Sequence, residues 1–143
     1  MVGWIVNVED VLSDLQDDEG FRPFAYSDSE GCLTIGFGTL VDPRKGGITM
    51  DEGMYLLRNR LATNLGRLDQ LRPYWRSYPD QVQRALANMA YQLGPVGVHS
   101  FAKMWAALEN LDWEGAAREA LDSKWATQTP DRAKRVAAMI RSA

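Results

Sequence analysis

Two carboxylates and a threonine fall close together near the start of the chain. Glu19 stands where an amphipathic helix should end, Asp28 follows nine residues later in turn-forming sequence, and Thr34 lies six further on in a glycine-punctuated hairpin. Acid/base hydrolysis of a glycosidic bond needs two carboxyl groups displayed from different elements. The stretch from Asp17 to Thr39 therefore points to cleavage of a sugar polymer. The pair alone is a weak signal, because the chain's 19 acids supply many such spacings by chance. Taken singly, Glu19 reads as a surface acid, Asp28 as an Asx-turn residue and Thr34 as an ordinary strand threonine.

These residues need elements to hold them. Val8, Val11, Leu12 and Leu15 recur at helical spacing behind Asn7, a good N-cap, and Glu19-Gly20 is a natural stop. Asp17, Asp18 and Glu19 then crowd the negative end of the helix dipole, where stability alone does not favour acids. Helical periodicity is lost over residues 20–48. Phe24-Ala25-Tyr26 predicts a short strand, residues 27–31 a turn, and residues 33–40 a further strand whose glycines mark a bulge or a close backbone approach. Thr49 and Glu52 form a capping box opening a helix with an apolar stripe at Met54, Leu57, Leu61, Leu65 and Leu68. That helix runs to about Leu71, before Pro73, and its roughly 30 Å would be enough to join two lobes.

A helix beginning near Tyr78-Pro79-Asp80 runs to Gly94-Pro95. Short helices follow near 101–108, 113–121 and 124–128, and Thr129 caps a last helix with Pro130 at its first position. The predicted class is α+β: a β lobe over about 20–48, a connecting helix over 50–71, and a helical lobe over 72–143 together with helix 7–19. The whole is one domain of 143 residues, with a cleft between its lobes as the place for a ligand.

Composition is that of a soluble globular protein, with 45% apolar and 24% charged residues. No run approaches eighteen apolar residues, so no membrane-spanning helix or anchor is expected. The N-terminus lacks a basic segment and meets Glu9 and Asp10 too soon for a signal peptide, which predicts synthesis and folding in a cytoplasm. The single Cys32 can form no internal disulfide and is expected to have no chemistry. With one histidine, His99, and no Cys/His cluster, a zinc enzyme is disfavoured and no metal is expected. Residues 1–70 carry twelve acids against six bases, and residues 71–143 carry seven acids against ten bases. The bases of the last helix read as a solvated face, except Arg132. The acidic balance and lack of a motif argue against nucleic acid.

Three stretches carry a family resemblance. They are Asp18-Glu19-Gly20 with Tyr26, Asp28-Ser29-Glu30-Gly31 and Thr34-Ile35-Gly36-Phe37-Gly38; then Asn88-Met89-Ala90-Tyr91-Gln92-Leu93-Gly94; then residues 123–133, including Trp125-Ala126-Thr127-Gln128-Thr129-Pro130-Asp131-Arg132. In type, spacing and order the chain resembles the phage-type lysozymes, endolysins of glycoside hydrolase family 24 typified by the T-even phage enzyme. The resemblance implies a muramidase cutting the β-1,4 bond between N-acetylmuramic acid and N-acetylglucosamine in bacterial peptidoglycan. Glu19 would be the general acid. Asp28 would stay ionised and Thr34 would help it hold the attacking water, with inversion at the anomeric carbon. Arg132 matches the family arginine that pairs with this glutamate, opposing the helix end and neighbouring acids that favour its protonated form. Gln92, Phe37 and Trp125 would bind substrate, with Trp125 equally readable as core. Asn88 would buttress Glu19 and Arg132.

The resemblance further implies no cofactor and a monomer, and the expected absence of a signal or anchor suggests host-cell lysis by a cytoplasmic enzyme released through a holin-type pore. There are departures. Thr39 stands where the T-even enzyme has a histidine, the loop at 41–48 is much shorter, and the chain stops soon after its last helix. The rival from another class is a catalytically silent peptidoglycan-binding or phage-tail structural module. A rival enzyme would keep the carboxylates and cut another polymer, such as chitin.

Overall fold

A computed structural model of the chain describes residues 6–143 and has the expected α+β architecture. Residues 1–5, part of the N-terminus read above against a signal peptide, lie outside the described residues. The chain divides into two compact units, one ending at Gly53 and the other beginning at Met54.

The first unit opens with α1 (Val8–Glu19), capped by Asn7, whose Oδ1 accepts the N–H groups of Glu9 and Asp10 at 3.1 and 3.4 Å. Gly20, at φ 67°, takes the left-handed conformation that ends the helix and turns the chain into the sheet. Strands β1 (Arg22–Ser27), β2 (Leu33–Gly36) and β3 (Thr39–Leu40) form an antiparallel sheet in that order. Arg22 faces Gly36 while Tyr26 faces Thr34, so β1 carries two extra residues and bulges. The single strand expected over 33–40 is in fact two. Gly36 and Gly38, with φ of 67° and 75°, reverse the chain between Ile35 and Thr39, and residues with a Cβ resist that conformation.

Among the described residues of this unit only Cys32, Thr34 and Asp42 are buried. Asp42 is a polar staple. Its Oδ2 accepts the Leu33 N–H at 2.9 Å, and Arg44 grips both carboxylate oxygens through Nε at 2.8 Å and Nη2 at 2.9 Å. Arg44 Nη2 also donates to the Gly31 carbonyl at 2.8 Å. The Arg44 side chain, then the Leu33 N–H, hold the Asp42 carboxyl well below the usual carboxylate range.

Helix α2 (Met50–Leu71) starts in the first unit and continues into the second. Its capping box forms as expected: Thr49 Oγ1 accepts the Glu52 N–H at 3.2 Å, and Glu52 Oε1 accepts the Thr49 N–H at 3.3 Å. Of its apolar stripe only Leu68 is buried, with Leu65 packed partly against the core. After Pro73 comes one 3-10 turn, Trp75–Ser77. Then follow α3 (Asp80–Leu93), α4 (Pro95–His99), α5 (Ala102–Glu109), α6 (Trp113–Leu121), α7 (Lys124–Gln128) and α8 (Pro130–Arg141).

Two expectations are corrected here. Gly94-Pro95 ends α3 but also opens α4, because a Pro at the first helical position gives up only an N–H that has no partner anyway. Thr129 stands before α8 without capping it, since its hydroxyl donates back to the Trp125 carbonyl at 3.0 Å. Fully buried Ala116, Ala117 and Ala120 of α6 and Ala133 and Ala137 of α8 are small enough to let those two helices lie close. Leu86, Met89, Val98, Met104, Trp105 and Leu108 supply the bulk of the core around them. Among the described residues each buried indole N–H is satisfied: Trp75 donates to Asp69 Oδ1 at 2.6 Å, Trp105 to the Val98 carbonyl at 2.8 Å, and Trp125 to Gln92 Oε1 at 2.8 Å. Among the described residues no helix is long and apolar enough to cross a membrane.

Candidate active site

The expected site residues sort into one set in each unit. In the first, Glu19 is the last residue of α1 and its side chain is exposed. The β2–β3 turn closes directly against it: a Cβ added at Gly38 would lie 2.7 Å from Glu19 Oε2 and 3.1 Å from Cδ. The close backbone approach expected of these glycines is thus an approach to the candidate acid itself. A side chain at position 38 would displace the Glu19 carboxylate, and the φ of 75° disfavours one independently.

Asp28 sits in the turn between β1 and β2, where its Oδ1 accepts the N–H groups of Glu30 at 2.9 Å and Cys32 at 2.8 Å. Its own N–H donates to the Cys32 carbonyl at 2.9 Å. The residue is therefore an Asx-turn anchor, and that anchoring fixes the carboxylate with Oδ2 left for a water. Thr34, 3% exposed, lies in β2 and donates its hydroxyl to the Cys32 carbonyl at 3.1 Å. The hydroxyl hydrogen is thereby used, and the lone pairs of Oγ1 remain to accept from a water.

Asp28, Glu30 and Cys32 also bring potential ligand atoms within 4.8 Å of one another. Arg44 Nη2 lies 3.7 Å from Cys32 Sγ, and a fixed positive charge beside the thiol opposes a bound cation. No metal is assigned to them. Phe37, 47% exposed at the tip of the turn, packs on Phe21 with ring centroids 5.3 Å apart.

In the second unit the arrangement corrects one assignment. Trp125 is 4% exposed and packs edge-on to Phe101, so its ring is core and offers no face to a sugar. What it does is aim Gln92. An indole N–H can only donate, so the amide of exposed Gln92 must turn its oxygen to Trp125 and its NH2 group outward. Asn88 and Arg132 are likewise brought together: Arg132 Nε donates to Asn88 Oδ1 at 2.8 Å, and Nη2 to the Asn88 carbonyl at 3.3 Å. Both border a surface depression of about 420 Å³ shared with Leu57, Leu61, Arg84 and Tyr91.

Sequence inspection assigned no role to Phe21, Gly38, Asp42 or Arg44. For Gly38 the signal was present in the Gly36-Phe37-Gly38 pattern. For Asp42 and Arg44 there was none, because a loop has no periodicity to mark a buried staple.

A family model described as phage lysozyme matches residues 16–141, which takes in all eight expected site residues. The pre-baseplate central spike protein Gp5 of Enterobacteria phage T4 is 34% identical over 152 residues, covering 88% of this chain, which spans only 26% of that protein's length. Two probable T4-type lysozymes of Dictyostelium discoideum match over most of both chains. One is 28% identical, covering 88% of this chain and 92% of that protein; the other is 26% identical, covering 93% and 94%. With its acid-bearing helix end, Asx-anchored carboxylate and buried threonine, the chain belongs to the phage lysozyme family.

Proposed function

We propose that this chain is a muramidase that hydrolyses the β-1,4 bond between N-acetylmuramic acid and N-acetylglucosamine in bacterial peptidoglycan. Glu19 donates a proton to the leaving glycosidic oxygen as oxocarbenium character develops at the anomeric carbon. Asp28 Oδ2 and Thr34 Oγ1 hold a water on the opposite sugar face. Asp28 takes that water's proton as its oxygen bonds to carbon, giving inversion. Gln92 offers its outward NH2 group to an acceptor on the glycan. Asn88 and Arg132 support the site without reacting. The biological role is host-cell lysis, with release through a holin-type pore.

The observation that carries this reading is the fit of the Gly38 turn against the Glu19 carboxylate. It sets the acid beside the same small sheet that anchors Thr34 and Asp28. The test is clearing of permeabilised Gram-negative cells by wild type, Glu19→Gln and Asp28→Asn in parallel. Loss of a general acid should slow clearing by about 10²–10⁴-fold with an unchanged circular dichroism spectrum. A Glu19→Gln protein that clears at the wild-type rate would sink the proposal.

The second reading is a peptidoglycan-binding or tail structural module without turnover. It is favoured by one observation, the 34% identity to a central spike protein of which this chain matches 26%. Sedimentation of wild-type protein with cell walls, without clearing, would support it.

A further inference from the structure

Phe21 has no part in the scheme above, yet it is placed by the same two devices that place Glu19. Gly20 breaks α1 directly after the acid and turns Phe21 onto the sheet. Arg22 pairs with Gly36, so the antiparallel register sets Phe21 opposite Phe37, the residue before Gly38. The rings lie 5.3 Å apart at an interplanar angle of 43° and are 64% and 47% exposed. The pair is apolar surface left uncovered where the acid meets the turn, one of several such exposures in this unit. The tilt also bears on what it can cover. A flat ring face suits the C–H face of a pyranose, whereas two rings inclined to each other form a notch for a small apolar group.

We infer that Phe21 and Phe37 together form a specificity notch for the acetamido methyl of an N-acetylated hexosamine at the cleavage site. The inference rests on the muramidase reading for its substrate and extends it by assigning Phe21 and a defined group on the sugar. The notch makes no bond to a reacting atom. It seats the glycan so that the glycosidic oxygen meets Glu19, and it distinguishes sugars by one methyl group.

The test measures binding, so that it stands apart from turnover. Glycan strands are de-N-acetylated and then re-acylated with either acetyl or formyl groups, which keeps the amide and removes only the methyl. Equilibrium binding of both is measured with Glu19→Gln protein, and with Phe21→Ala, Phe37→Ala and Phe21→Leu added to it. With both rings present the acetylated glycan should bind about tenfold more tightly. Either alanine change should abolish that ratio while leaving the formylated glycan unaffected, and Phe21→Leu, which keeps apolar volume, should retain part of it. Equal binding of the two glycans by the protein with both rings, or a tenfold ratio persisting in the alanine variants, would overturn the inference. Wild-type cleavage of the acetylated glycan is read separately. Its absence beside an intact binding ratio would sink the muramidase reading and leave the notch standing.

Discussion

The unit that carries Glu19, Asp28 and Thr34 and the unit that carries Gln92 and Arg132 are held together by different physics. Twenty buried residues form the core of the second, all of them apolar. The first buries three described side chains, and two of them, Thr34 and Asp42, are polar. Its geometry comes from hydrogen bonds to main chain: Asp28 on Glu30 and Cys32, Thr34 on Cys32, Asp42 on Leu33, Arg44 on Gly31. Burial is tolerant of direction, whereas hydrogen bonds fix it. A reaction centre needs orientation within fractions of an ångström, which suits a thin sheet pinned at many points. The helical unit can supply stability in bulk, and its own polar groups are aimed one pair at a time.

The largest break in this contrast should come from Trp105→Ala. Trp105 is 1% exposed, and its removal should cost the second unit about 3–5 kcal/mol in urea unfolding. A loss under about 1 kcal/mol would show that this core is not what holds the unit.

Gly38→Ala should do the reverse, leaving core stability nearly untouched while slowing cell clearing by about 100-fold. The new methyl would lie 2.7 Å from Glu19 Oε2 and push the carboxylate aside, and an ångström of misplacement has that scale of effect. Gly66→Ala in α2 is the control. Nothing lies within 4 Å of its Cβ position, and alanine should stabilise the helix by about 0.5–1 kcal/mol. Equal effects of the two changes would erase the distinction between the units.

Trp125→Phe keeps the core nearly filled but removes the donor that orients Gln92. It should cost about 1 kcal/mol, with a several-fold rise in KM that Trp125→Ala exceeds only through unfolding. An unchanged KM would separate Gln92 from substrate.

Acid should sharpen the contrast last. The folded Asp42 carboxyl is depressed, so its contribution is present above the ordinary aspartate value of about 3.9 and is lost as pH falls below it. Asp69 is also lowered, first by Arg76, but that pair is half exposed (53% and 42%) whereas the Asp42 side chain is 6% exposed. Amide protection at Leu33 and Val41 should therefore fade below about pH 4 while the helical core holds. In Asp42→Asn that acid step should vanish, and persistence of the step would assign it elsewhere.

What the sequence discloses divides along the same line. Periodicity and caps place α2, α3, α5, α6, α7 and α8 within a residue or two, and Asn7 and the Thr49–Glu52 box act as their types predict. Helix α4 escapes because five residues carry no period and Gly94-Pro95 reads as an ending. The break at Gly36-Phe37-Gly38 escapes because alternation continues through it. Glu19, Asp28 and Thr34 are legible as a motif confined to sixteen residues. The pairing of Gln92 with Trp125 spans 33 residues, and nothing local in either announces the other.

Cys32 has one more consequence. It is the only cysteine in the chain and is 4% exposed beneath the turn that Asp28 anchors. A thiol reagent in excess can reach it only when that turn opens. Its labelling rate, divided by that of an unprotected thiol, gives the opening equilibrium of the first unit alone. The chain thus carries a native reporter of fluctuations at its candidate active site, readable without a label that would disturb it.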